Sequence, residues 1–352
     1  MIKPRFCPAA PHQQAAIKKP HAGQKRRPSR VLRQAAFVLF LVVFLSAFSG
    51  CIGASTPGFN PDGSPQFSDP NYQRTPPALA LSGYTGENQL TRENPTTGDS
   101  GVIDLSNLSK GYVAVSCAST QKVVFQVRNG DQKYDYFFTN TGEFVVFPLA
   151  MGNGTYTFTI LVNTQGSEYY FLLNTEAQVT LESEQAPFLV PNQQVHYDEN
   201  SECVRLSYEL AQHAVNDLEV VQQVYYWVRT NITYDYARAE EVQKVSGYLP
   251  LPDRVIEEKK GICYDYASLV AAMLRANGIP CQLAMGYVYQ EGGNLYHAWN
   301  LIWTDETGWI AIKVPSTPEE WKRMDLTFAA SPDDSIVDFI EESANYTETS
   351  FH

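Results

Sequence analysis

Cys263 stands where the chain turns into a helix. The run CYDYASLVAAMLRANG (263–278) places apolar residues at Ala267, Leu269, Val270, Met273 and Leu274, one face of a helix. Gly261-Ile262 precede it, Asn277-Gly278 end it and Pro280 lies beyond, so the thiol falls in the first helical turn. The partial positive charge of a helix N-terminus favours a thiolate. A backbone N–H of that turn can also bond a developing oxyanion. A buried structural cysteine gives the same local pattern, and Cys281 inside CQLAMGYVY reads that way. The downstream hairpin favours chemistry at Cys263. CQLAMGYVY (281–289) reads as a strand, EGGN (291–294) as a turn and YHAWNLIW (296–303) as a returning strand. His297 lies at the start of that second strand, where the hairpin can lay it against the helix tip. A thiol and an imidazole in this arrangement are a nucleophile and its general base. A third group must then accept a hydrogen bond from the other imidazole nitrogen.

Three separated motifs carry a resemblance. The runs DRVIEEKKGICYDYASLVAAMLRANGIP (253–280), GYVY (286–289) with YHAWN (296–300), and WKRMDLTFAAS (321–331) occur in this order. Over roughly residues 215–335 the chain resembles the transglutaminase-like superfamily, and within it the bacterial extracellular members. The resemblance implies a papain-like fold, in which a helix carrying the cysteine packs on an antiparallel sheet carrying His and Asp. It implies Cys263 as nucleophile, His297 as base and Asp325 as the residue that orients the imidazole. Members of the family show a Trp four residues before that acid. Counting from Trp309 reaches Lys313, which cannot accept from imidazole, whereas counting from Trp321 reaches Asp325. Leu326 replaces the usual Pro after it. Asp305 is the rival, in the turn-like TDETG (304–308). The family also uses an aromatic upstream of the cysteine to bind the oxyanion. Tyr248 is the candidate and Trp227 the rival. Asp265 either faces solvent or braces the helix, and is expected to have no catalytic role. Tyr296 and Trp299 are expected to pack around His297.

The elements that must position these residues occupy the second half of an α+β chain of 352 residues. Residues 190–345 read as the papain-like, transglutaminase-type domain. Its helices are expected from about Asn200 to His213, from Asp217 to Arg229 and briefly from Asp253, with TGWIAIKV (307–314) as an extra strand. Residues 101–185 read as an antiparallel β-sandwich. Short aromatic and β-branched runs such as TYTFTILV (155–162) are separated there by turn signals such as Asn129-Gly130. It carries no catalytic constellation and reads as an accessory module. Residues 51–100 are rich in Pro, Gly, Ser, Thr and Asn without a hydrophobic period, and read as a disordered tether reaching ~40 Å.

The first 50 residues carry nine Lys or Arg and no Asp or Glu, then the apolar run AAFVLFLVVFLSAF (35–48). That run is short for a membrane-spanning helix, which needs ~20 residues, and fits the core of a secretory signal. Ser49-Gly50 before Cys51 have the shape of a bacterial lipobox, so residues 1–50 read as a lipoprotein signal peptide and Cys51 as the lipidated residue. An uncleaved signal anchor is the alternative. Both place residues 52–352 outside the cytoplasmic membrane, with a lipid anchor at Cys51 in the first case. Removing nine basic residues from 26 leaves 17 against 38 acidic, a net charge near −21. Such a surface repels phosphate backbones and excludes a nucleic-acid partner. Cysteine spacing is no disulfide framework, and neither CxxC nor HExxH occurs, so no metal and no cofactor is expected.

The expected chemistry is acyl transfer at the cell surface on a peptide or carboxamide bond of a protein or peptide substrate, cell-wall peptide included. Transfer to water would make a peptidase or amidase, and transfer to a lysine amine a transglutaminase. The alternative is a non-catalytic surface adhesion or scaffold lipoprotein that retains the fold.

Overall fold

The computed structural model describes residues 60, 63–290, 293–305, 307–312 and 346–352. Eight strands come first: β1 (Gln89–Glu93), β2 (Ser100–Asp104), β3 (Tyr112–Ala118), β4 (Val123–Asn129), β5 (Gln132–Phe138), β6 (Thr141–Pro148), β7 (Gly154–Gln165) and β8 (Glu168–Val179). They form two antiparallel sheets, ordered β1-β2-β3-β6 and β5-β4-β7-β8. Alternation decides which face is buried. Tyr156, Phe158, Ile160 and Val162 of β7 and Val123, Phe125 and Val127 of β4 enter one core with Val113, Val115 and Cys117 of β3. Each such aromatic or aliphatic side chain, fully buried, contributes about 1.5–3 kcal/mol. The β4–β5 hairpin turns at Gly130, whose φ of 58° suits a glycine. This is the expected sandwich, with β1 added ahead of it.

The second half is helical, then antiparallel. Helices α1 (Glu202–Ala211) and α2 (Asp217–Asn231) lead to a two-residue strand β9 (Thr233–Tyr234) and helix α3 (Tyr236–Val242). Then come α4 (Pro252–Glu258), a two-residue strand β10 (Lys260–Gly261), α5 (Cys263–Ala276), and strands β11 (Cys281–Gln290), β12 (Gly293–Thr304), β13 (Gly308–Ile312) and β14 (Tyr346–Phe351). The sheet order is β13-β12-β11-β14, all antiparallel. Helix α2 begins at Asn216, whose Oδ1 accepts from the Glu219 amide at 2.9 Å. For α1, Ser201 occupies the cap position but its side chain makes no capping bond. Asp253, from α4, caps the helix instead, accepting from the Glu202 and Cys203 amides at 3.0 and 2.9 Å. Helix α5 is buried on nearly every side, from Asp265 to Ala276.

The stretch expected as a tether is part of the fold from Gly63 onward. Phe67 and Leu79 pack against the helical core. Ser68 donates from its amide and hydroxyl to Glu219 Oε1, at 3.2 and 2.5 Å. Arg74 pairs with Asp217 at 2.5 Å, and its amide donates to Gln212 O at 2.9 Å. A few anchors spaced along an extended chain do this work, so no periodic signal exists for a sequence reading to detect. Cys51 and residues 1–50 lie outside the described residues.

The two halves share a junction at Arg275, which has no exposed surface. Its guanidinium donates to Cys281 O (2.9 and 2.7 Å), to Val190 O (2.7 Å) and to His352 O (2.7 Å). The His352 ring in turn lies 5.4 Å from that of Tyr136 on β5.

Candidate active site

The approach to Cys263 is rigid before the helix starts. Strand β10 pairs in parallel with β9, fixed by Thr233 N donating to Lys259 O and Asp235 N to Gly261 O, both at 2.9 Å. Residue 261 must be glycine, because a Cβ there would stand 2.8 Å from Asp265 Cβ. Ile262 is the N-cap of α5 and has no side chain that could cap it. Asp265 compensates, its Oδ2 accepting from the Ile262 amide at 2.9 Å. Cys263 is thus the first helical residue, and it is 4% exposed.

Strand β12 is bound to α5 by Asn300, whose side-chain amide donates to Ala267 O at 2.9 Å. Near the other end of the strand, Trp303 N donates to Pro280 O, just past the C-terminus of the helix. Helix and strand therefore run in the same direction. Ala267 is one turn beyond Cys263, and Asn300 three residues beyond His297, so thiol and imidazole lie at the same end of this pair. Tyr296, next to His297, is close enough to feel the Cys263 charge. Burial raises its phenol pKa most, and the nearby thiol adds to the rise. His297 is buried at 2% exposure. Among the described residues neither of its ring nitrogens has a hydrogen-bond partner. Neither nitrogen bonds the Cys263 sulfur in this structure, and an orphaned buried imidazole is costly.

The remaining candidates separate clearly. Asp325 lies outside the described residues. Asp305 is exposed, as its turn implied. Trp299 is buried at 2% exposure beside His297 on β12. Trp227 is half-buried on α2, with Lys259 Nζ 4.6 Å from its ring centre. Tyr248 is corrected. Its hydroxyl proton goes to Asp265 Oδ1 at 2.6 Å, and its oxygen accepts from Arg254 Nη2 at 2.7 Å. That hydroxyl has no proton to offer an oxyanion. Asp265 is wholly buried and braces the helix. Burial pushes its carboxyl pKa up against the opposing pull of Tyr248, the Ile262 amide, Arg238 and Arg254.

The other cysteines are buried as well. Burial pushes the Cys117 and Cys281 thiols up to about 12 and also raises Cys203. None of the four forms a disulfide. Among the described residues no cluster of three His, Cys, Asp or Glu is gathered as a metal site would need.

Comparison with known proteins reaches this same segment. Residues 204–314 match the model of the transglutaminase-like superfamily. Kyphoscoliosis peptidase of Homo sapiens is 32% identical over 105 residues, 28% of this chain and 15% of that protein. A protein-glutamine gamma-glutamyltransferase of Pseudomonas aeruginosa is 33% identical over 73 residues, 17% of this chain and 10% of that protein. The chain thus spans a small fraction of the relatives it matches. The structure of red sea bream transglutaminase superposes with a TM-score of 0.31 and 11% identity, over 67% of this chain and 54% of that one. The family match ends before Asp325 but includes both Cys263 and His297. The part of the chain that holds the thiol and the imidazole, residues 204–314, is a transglutaminase-like domain.

Proposed function

We propose that the protein is a cysteine acyl-transfer enzyme acting on peptide or carboxamide bonds, with Cys263 as nucleophile and His297 as general base. The observation that carries this reading is the parallel packing of α5 and β12. It puts the thiol at the same end as a buried imidazole whose ring nitrogens have no partner among the described residues. His297 takes the thiol proton. The Cys263 sulfur adds to the substrate carbonyl carbon, and the carbon–oxygen double bond opens to an oxyanion facing backbone N–H groups of the α5 N-terminal turn. As the carbonyl re-forms, the carbon–nitrogen bond breaks and His297 returns its proton to the leaving amine. The thioester then passes its acyl group to water or to an amine. We assign Asp325 as the acceptor for the second imidazole nitrogen, on the Trp321 spacing. We further propose that export and a lipid anchor at Cys51 hold the protein at the outer face of the cell membrane, where peptide substrates are met.

The test is the Cys263→Ala variant. It is expected to lose both thiol-probe labelling and turnover with its melting temperature kept. Incubation with cell-wall peptides, and with casein plus a labelled amine, separates cleavage from cross-linking. Undiminished labelling in the variant refutes the assignment.

A further inference from the structure

Four segments meet at one buried carboxylate two residues after the nucleophile. Asp265 has no exposed surface. One of its oxygens accepts from the Tyr248 hydroxyl at 2.6 Å, and the other from the Ile262 amide at 2.9 Å. Arg238 Nη1, from α3, stands 3.5 Å from that second oxygen. The same guanidinium pairs with Glu258 of α4 and lies 3.7 Å from Asp235. Arg254 of α4 donates to the Tyr248 hydroxyl at 2.7 Å, its guanidinium carbon 5.6 Å from the ring centre. Tyr264 completes the surroundings on α5, with its ring 6.4 Å from that of Tyr248. Beyond Cys263 stands Tyr296 of β12.

Charge at this place is a problem for a thiolate. A buried carboxylate in the first turn satisfies the helix end, but it repels the negative charge that Cys263 must carry. Arg238 and Arg254 answer it from two other helices. We infer that Asp265 is a positioning residue for the reaction: with Arg238 and Tyr248 it fixes the first turn of α5 and balances the charge beside the Cys263 sulfur. It touches neither substrate nor reacting atoms. This inference rests on Cys263 being the nucleophile. It assigns the 248 loop and α3 a share in the reactivity of that thiol.

The two charges predict opposite effects. Asp265→Asn removes a negative charge from the first turn while Arg238 keeps Glu258 and Asp235, so the thiolate forms more readily. Arg238→Gln removes a positive charge beside Asp265, which keeps only the Tyr248 and Ile262 bonds and the more distant Arg254, so the thiolate forms less readily. The experiment is the pH dependence of iodoacetamide modification at Cys263, followed on its peptide by mass spectrometry, in the full-length protein and the two variants, with Cys263→Ala as the blank. The midpoint is expected to fall by about one pH unit in Asp265→Asn and to rise by about one in Arg238→Gln. A purely structural defect would move both the same way, toward an ordinary exposed thiol. If Asp265→Asn does not fold, Arg238→Gln alone decides, because its side chain is partly exposed and its midpoint must rise. Fast labelling of the parent with unmoved or co-moving midpoints overturns the role of Asp265 alone. Parent labelling no faster than that of the buried cysteines overturns the nucleophile assignment and this inference together.

Discussion

The side-chain amide of Asn300 donates to the backbone carbonyl of Ala267 at 2.9 Å, and so sets how far His297 stands along the helix from Cys263. The same amide reaches Cys281 Sγ and Gln282 O at 3.4 Å. Replacing Asn300 by Leu removes a buried bond to a helix carbonyl that keeps its own helical donor, and should cost about 0.5–1.5 kcal/mol. Activity should fall further than stability explains, since a misplacement of about 1 Å can cost a hundredfold in rate. Denaturant unfolding and the rate of thiol alkylation, measured on one preparation, test the two effects separately.

Cys117, Cys203 and Cys281 have no exposed surface, and burial pushes all three thiols well up. In native protein at pH 7, iodoacetamide should therefore modify Cys263 and leave these three intact. After denaturation all four should react. Peptide mapping before and after guanidinium reads the outcome directly, and early labelling at Cys281 would contradict it.

His352 ties stability to pH. Burial, with Arg275 close by, holds its imidazole pKa down to about 3. In the unfolded chain it titrates near 6.5. Below that pH the unfolded state binds a proton that the folded state refuses. The stabilisation is complete above about pH 6.5 and is lost as pH falls toward 3, by about 2 kcal/mol at pH 5. Unfolding free energies at pH 7 and pH 5 should show this slope, and His352→Phe should flatten it.

Asp104 is a second acid-sensitive point, in the sandwich. Burial works to raise its carboxyl pKa, but bonds from the Ser106 hydroxyl and the Gly86, Ser106 and Thr85 amides outweigh it and hold the pKa below the usual range. Those amide bonds are 3.1, 2.9 and 2.9 Å long. Its contribution is present above the ordinary carboxylate pKa and disappears as pH drops through the lowered value. Asp104→Asn should destabilise by about 1–3 kcal/mol at neutral pH, seen as a lower melting temperature.

How much is legible in the sequence depends on the range over which each signal acts. The β7 residues Tyr156, Phe158, Ile160 and Val162 announce their strand by alternation, and α5 announces itself by the spacing of Leu269, Val270, Met273 and Leu274. The order of cysteine, hairpin and histidine is readable for the same reason. Helix α3 and strand β14 are not, since YARAEEV and YTETSF have no apolar period and owe their conformations to distant partners. Tyr248 misleads because the carboxylate that takes its proton is 17 residues further on, and the burial of that carboxylate is a tertiary fact. Likewise Asp253 caps a helix about 50 residues upstream, which no local rule predicts.

The pairing of β11 with β14 bears on how the chain is made. Ala284 is matched with Phe351 and Val288 with Tyr346, so an interior strand of the sheet beneath the thiol helix takes one neighbour from far downstream. Synthesis delivers the chain from its N-terminus, and until residue 351 arrives, β11 exposes an open hydrogen-bonding edge to its surroundings. A nascent chain in that state is vulnerable to aggregation, and its thiol helix lies on an unfinished sheet. The edge of β11 is closed only once β14 has been delivered.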